Sequence, residues 1–117
     1  MILVVGGAGQ GKLRFARELS GSADGDAPDA AIFDKLHLAV RDCLREGGDL
    51  TALAEKALQS RVVVCDEIGC GIVPLDREER RWREETGRLC QALAREAETV
   101  YRVVCGIPVC LKGESRC

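Results

Sequence analysis

The opening run MILVVGGAGQGKLRFARE constrains this chain more than any other stretch. Ile2 to Val5 form a short, unbroken and largely β-branched apolar run closed by glycine, as a strand buried on both faces requires. The next residues, GGAGQGK, match the spacing G-x-x-x-x-G-K and end at Lys12. Glycines let the chain turn so that successive N–H groups face one anion, and the helix that follows adds its N-terminal dipole. Gly6, Gly7, Ala8, Gly9, Gln10, Gly11, Lys12 and Leu13 are therefore the candidate phosphate-binding residues, with Lys12 supplying a point charge to the outer phosphates. Leu13 departs from the pattern. A Ser or Thr hydroxyl at that place is a magnesium ligand, and leucine offers no oxygen. Magnesium keeps several waters, so phosphates, water and one carboxylate still make a set; a weakened metal site is expected rather than an abolished one.

Beyond the loop, strand-like and helix-like segments alternate. Lys12 to Ser20 has helical spacing, and residues 21–29 are small, polar and turn-rich. Residues 30–34 read as a second buried strand ending in Asp34. Leu36, Ala39, Val40, Cys43 and Leu44 then recur at helical intervals until Gly47 and Gly48, and Asp49 is placed to cap the next helix. RVVVCDE, residues 61–67, is a third strand ending in Asp66 and Glu67, followed by a glycine-bearing loop closed by Pro74. A long amphipathic helix is expected over 76–98, with Trp82, Thr86, Leu89, Cys90, Leu93 and Ala97 on one stripe. Residues 99–105 form a fourth strand that Gly106 breaks before IPVCLK, and 113–117 are expected to fray.

Buried strands alternating with helices imply an α/β fold: a mainly parallel sheet of about four to five strands wrapped by helices. At 117 residues the expectation is a single domain over 1–117. In such sheets ligands sit beyond the carboxyl ends of the strands, where Gly6 to Lys12, Asp34 and Asp66-Glu67 all fall.

Composition narrows the partners. The net charge is -2 and aromatics are only 3% of the chain, which argues against a nucleic-acid groove or stacking platform. No apolar run is long enough for a membrane span, and Ile2 to Val5 lead straight into Gly6 as a strand rather than a leader, so a cytoplasmic protein is expected. Seven cysteines, at 43, 65, 70, 90, 105, 110 and 117, show no C-x-x-C pair or zinc-finger spacing and read as structural thiols. Cys65 and Cys70, flanking the glycine-bearing loop, are the pair to watch.

One of the strand-end carboxylates is expected to hold magnesium or orient the attacking hydroxyl, and Asp34 is the leading candidate for both roles. His37, the sole histidine, is expected as a partly exposed residue on a helix face. Arg77, Arg80, Arg83 and Arg88 could meet phosphates, but among Glu78, Glu79, Glu84 and Glu85 they read first as solvated helix pairs.

VVVCDEIGCGIVPLDREERRWREETGRLCQALAREAETVYRVVCGIPV closely resembles the C-terminal half of the adenosylcobinamide kinase/adenosylcobinamide-phosphate guanylyltransferase family. The carriers are Glu67, the GxGIVP of Gly69 to Pro74, Arg77, Trp82-Arg83, Gly87-Arg88, Gln91, Leu93 and VVCGIPV. MILVVGGAGQGK resembles the same family's opening, and DAAIFDKLHLAV its middle strand and helix, with Asp34 where the family carries a glutamate.

The resemblance implies a P-loop NTPase-like three-layer sandwich with two activities. One phosphorylates the aminopropanol hydroxyl of adenosylcobinamide from ATP or GTP with Mg2+; the other moves GMP from GTP onto that phosphate through a histidine. That histidine lies between the first helix and second strand in the family, where this chain has only the short stretch 21–29 and no histidine. His37 follows the second strand and does not inherit the role. The expected function is therefore a shortened cobinamide-kinase-like enzyme of cobalamin biosynthesis with the guanylyltransferase activity lost. Glu67, Gly69, Gly71 and Pro74 would shape the substrate side. The alternative is a non-catalytic nucleotide- or corrinoid-binding protein derived from that kinase. Neither ATP nor GTP is chosen by any readable base pocket, and self-association stays open.

Overall fold

The computed structural model describes residues 1–20, 31–68 and 76–114. In chain order the elements are β1 (Ile2–Gly6), α1 (Lys12–Leu19), β2 (Ile32–Phe33), α2 (Leu36–Glu46), α3 (Leu50–Leu58), β3 (Val62–Asp66), α4 (Arg77–Glu96), β4 (Thr99–Val104) and β5 (Ile107–Lys112). They build a five-stranded sheet in the order β2-β3-β1-β4-β5. The β1–β3, β1–β4 and β2–β3 pairs are parallel, and β5 runs antiparallel to β4.

The period-two alternation of the strands sorts their side chains into two cores. Leu3, Val63, Cys65 and Val100 point to one face, where they meet Leu36 and Val40 of α2, Ala57 of α3 and Leu89 and Leu93 of α4. Ile2, Val4, Val62, Val64, Tyr101 and Val103 point to the other, under Phe15 and Ala16 of α1. The result is the expected three-layer α/β sandwich with a mainly parallel sheet. Phe15 and Tyr101 lock α1 onto the sheet edge to face, with ring centroids 4.9 Å apart at 81°, the geometry that the aromatic quadrupole favours.

Local signals end the helices where the sequence places them. The Asp49 and Asp76 carboxylates accept the N–H groups of Thr51 and Glu78, each at 2.8 Å, capping α3 and α4. Gly47, at φ 67°, closes α2 in the left-handed conformation. The expected stripe on α4 faces inward, with Thr86, Leu89 and Leu93 buried.

Several expectations need correction. The second strand is only Ile32–Phe33, and residue 30 and the stretch 21–29 lie outside the described residues. Gly106 does not simply break a strand. Cys105 and Gly106, at φ 51° and 76°, form a two-residue turn that sends IPVCLK back as β5; both central residues having positive φ matches the right-handed twist of a hairpin. Gly113 and Glu114 are described, and only 115–117 of the expected frayed tail lie outside. Gly69, Cys70, Gly71 and Pro74 lie outside as well, so Cys65 is seen with another partner, Cys90, at a sulfur separation of 3.5 Å.

Candidate functional site at the carboxyl ends of the parallel strands

The glycine loop is shaped by close approach. A Cβ on Gly6 would stand 2.5 Å from the Val103 carbonyl oxygen, so only glycine lets β1 end this near β4. Gly11, at φ 90°, turns the chain into α1, which starts at Lys12. The loop is tied to the β4–β5 turn by Gln10. Its side-chain carbonyl accepts the Cys105 N–H at 2.5 Å, and its main-chain carbonyl accepts the Gly106 N–H at 2.9 Å.

Strand order decides which carboxylate meets the loop. Gly6 is the register partner of Asp66, because β1 and β3 are neighbours, whereas Asp34 follows β2, one strand further out. Lys12, only 6% exposed, places Nζ 2.7 Å from Asp66 Oδ1 and donates to the Gly7 carbonyl at 2.5 Å. Asp34 lines the same cleft of about 440 Å3, together with Gly9, Gly11, Arg14, Lys35 and His37. Lys35 adopts the left-handed conformation at φ 55°, bending the chain from Asp34 into α2. Such a conformation is uncommon in a residue with a Cβ and concentrates at functional turns. Three cations (Lys12, Arg14, Lys35) and two carboxylates (Asp34, Asp66) thus line a cavity that Gly9 and Gly11 of the loop also line.

His37 overturns its expectation. It is 7% exposed rather than half open to solvent. Its Nδ1 accepts the Asp66 N–H at 3.2 Å, its Nε2 lies 3.4 Å from Asp66 Oδ2, and its main-chain carbonyl accepts the Trp82 indole N–H at 2.6 Å. Burial lowers its pKa below the ordinary histidine value, outweighing the opposite pull of Asp66. The helical spacing of Leu36, Ala39, Val40, Cys43 and Leu44 leaves His37 off the apolar stripe, whereas α2 buries the face that carries Leu36, His37 and Val40.

Leu13 turns its side chain against the core beneath α1, alongside Leu19. The leucine thus has a packing role where a phosphate loop would place a hydroxyl. Glu67, expected on the substrate side, forms a bidentate ion pair with Arg102 at 2.9 and 3.1 Å. Of the α4 arginines, Arg83 pairs with Glu79 at 3.3 Å and Arg88 with Glu85 at 2.8 Å, as the helix spacing implied. The hydrogen bond with the Cys90 sulfur, and then burial, push the Cys65 thiol pKa up, as suits a structural thiol.

Residues 26–111 match the sequence profile described as cobinamide kinase / cobinamide phosphate guanyltransferase. The chain belongs to that family. Among its curated relatives, the bifunctional adenosylcobalamin biosynthesis protein CobP of Pseudomonas aeruginosa is 42% identical over 76 residues, covering 62% of the chain and 44% of the relative. The bifunctional adenosylcobalamin biosynthesis proteins CobU of Salmonella typhimurium and Escherichia coli are each 41% identical over 63 residues, covering 54% of the chain and 35% of the relative. The chain therefore matches less than half the length of each of these relatives. The profile match begins after Lys12, so the phosphate loop stands on its own motif and geometry. No helix among the described residues is long and apolar enough to cross a membrane.

Oxygen donors are the test of whether magnesium fits. Among the described residues no group of three or more candidate metal ligands forms. Asp66 and Asp34 nevertheless place two hard carboxylates on one cleft, and this ion accepts a donor set completed by phosphate oxygens and water.

Proposed function

We propose that this family member is a nucleoside-triphosphate-dependent kinase of the cobinamide type. It would transfer the γ-phosphoryl group of ATP or GTP to the aminopropanol hydroxyl of adenosylcobinamide. The observation that carries the reading is Lys12, held inside the glycine loop and 2.7 Å from a strand-end carboxylate in a cleft rich in cations. Phosphoryl transfer asks little covalent chemistry of a protein; it asks for positioning and for positive charge where the oxygens are.

In this reading the loop amides of Gly6 to Gly11 and the Lys12 ammonium bind the β- and γ-phosphates. The acceptor hydroxyl attacks the γ-phosphorus, the bond to the bridging oxygen breaks, and the hydroxyl proton passes to a carboxylate, Asp66 or Asp34. Asp66 and Asp34 would hold magnesium, which would supply positive charge to offset the negative charge of the phosphates. Glu67 and residues Gly69, Gly71 and Pro74 bound the acceptor side; the last three lie outside the described residues. A one-domain, cytoplasmic enzyme is part of the same proposal.

Guanylyl transfer is assigned as lost. A carrier histidine must present a free ring nitrogen to the nucleotide. His37 is the chain's only histidine; it is buried, its Nδ1 accepts the Asp66 N–H and its Nε2 faces Asp66 Oδ2 at 3.4 Å. Purified protein with ATP or GTP, magnesium and cobinamide should give phosphorylated corrinoid above a Lys12→Ala control. Equal yields from the two would end the kinase reading.

One observation favours a second reading, a non-catalytic nucleotide- or corrinoid-binding protein. Leu13 is committed to packing, so the loop supplies no hydroxyl to a metal. Triphosphate binding without turnover, for both nucleotides and with corrinoid present, would select it.

A further inference from the structure

The burial of His37 needs a reason, since a polar ring is costly to enclose unless its nitrogens are satisfied. Both nitrogens address one residue. Nδ1 accepts the Asp66 main-chain N–H, which leaves the ring proton on Nε2, 3.4 Å from Asp66 Oδ2. The other carboxylate oxygen, Oδ1, faces Lys12 Nζ at 2.7 Å. Asp66 is the last residue of β3, and an aspartate there keeps a broad, soft χ2 torsion unless a neighbour restrains it. The ring is itself held. Its helix is anchored by the Trp82 indole on the His37 carbonyl, with the two rings 6.5 Å apart.

We propose that His37 is a positioning residue of the phosphate site, fixing the rotation of the Asp66 carboxylate so that Oδ1 is presented to Lys12 and the cleft. Its consequence for turnover rests on the kinase reading above, whereas the ring geometry does not. His37 touches neither phosphate nor acceptor in this scheme; it acts only through Asp66. The titratable groups facing the ring are Asp66 and Cys65 from β3, Lys12 from α1, Asp34 beyond β2 and Arg41 from its own helix. From α4 come the Trp82 indole and, through Cys65, the thiol of Cys90.

Because the chain has one histidine, long-range 1H–15N spectra of the imidazole need no assignment. The expected signature is a single Nε2–H tautomer, with Nδ1 unprotonated and accepting the Asp66 main-chain N–H. An Nδ1–H tautomer or an averaged pair of tautomers would overturn the proposal, whatever the enzyme's activity proves to be. In the kinase assay, His37→Leu should lower kcat by about tenfold or more with little change in KM for the triphosphate, the pattern of a misplaced catalytic group. His37→Gln, which keeps a polar group of similar reach, should recover part of that loss. Wild-type kcat in a folded His37→Leu protein would also overturn it. If neither nucleotide is turned over, the kinase reading fails while the spectra still decide the positioning role.

Discussion

Lys12 Nζ and Asp66 Oδ1 stand 2.7 Å apart, with the lysine almost wholly enclosed and the carboxylate about one-quarter exposed. A charge pair at the mouth of a cleft is a contact that an incoming polyanion can share. The ammonium has a hydrogen-bond donor to spare for phosphate, and a charge-assisted bond of that type is worth about 1.5–3 kcal/mol. Lys12→Ala should therefore weaken ATP or GTP binding by about tenfold or more, read by calorimetry. Asp66→Asn removes a negative charge from the phosphate region, so it should keep binding or tighten it while cutting turnover by about a hundredfold. Full turnover in Asp66→Asn would move the carboxylate role to Asp34.

Gly6→Ala is expected to damage both stability and binding. The added Cβ meets the Val103 carbonyl at 2.5 Å, and the obstacle is backbone in a neighbouring central strand. Relief requires β1 and β4 to part or the loop to rise. Overpacking of this kind costs about 1–3 kcal/mol. A denaturant midpoint unchanged from wild type would show that the loop has more room than this geometry allows.

The contact between Gln10 and the β4–β5 turn predicts a chemical footprint. Cys105 is exposed, and its N–H is held by the Gln10 side chain, which lines the phosphate cleft. A thiol reagent followed by peptide mapping should modify Cys105 readily and leave the buried Cys65 untouched. Saturating triphosphate should slow labelling at Cys105, because a filled loop holds Gln10 in place. Gln10→Ala should abolish that protection without blocking the labelling itself. Equal labelling rates with and without nucleotide would separate the turn from the phosphate site.

Much of this architecture could be read from residue pattern. Ile2 to Val5, the glycine spacing to Lys12 and the α4 stripe are local signals, and local signals fix element type. Which carboxylate faces Lys12 was not legible, because that depends on strand order: β3 lies beside β1, and β2 does not. The burial of His37 escaped for a related reason. A histidine in a short amphipathic helix looks like a surface residue until the helix's rotation on the sheet is known. The left-handed Lys35 carries no turn signature of the glycine or asparagine kind, so the bend into α2 was hidden. At the hairpin Gly106 signals a break, while Cys105 gives no sign of the second left-handed position.

Leu13→Ser tests two effects that pull in opposite directions. The serine hydroxyl restores a metal ligand to the loop, yet the leucine leaves a packed position against the α1-facing core. Losing a partly buried leucine should cost about 1–2 kcal/mol of stability, less than the full value for a deep core site. Higher turnover per folded molecule, alongside a lower denaturant midpoint, is the expected pair of results. A lower midpoint with no gain in turnover would show that the hydroxyl is not what limits the reaction, and would favour the non-catalytic reading.

His37 also links folding to pH, with a definite sign. In the unfolded chain it binds a proton near the ordinary value of about 6.5. In the folded protein burial holds its pKa lower, with Lys12 and Arg41 pulling the same way and Asp66 and Asp34 opposing. Between those two values the unfolded state carries more protons, so stability falls as the solution is acidified. The contribution is complete above the unfolded value and is lost progressively as pH drops to the folded midpoint, at a slope approaching about 1.4 kcal/mol per pH unit. His37→Gln removes this titration while leaving every carboxylate in place, so the carboxylates largely cancel when the two proteins are compared. Denaturant unfolding at about pH 7.5 and about pH 5 should show the wild type losing more stability on acidification than the glutamine variant. A wild type that loses less than the variant would mean that His37 gains its proton more readily in the folded state, with the Asp66 carboxylate outweighing the cost of burial.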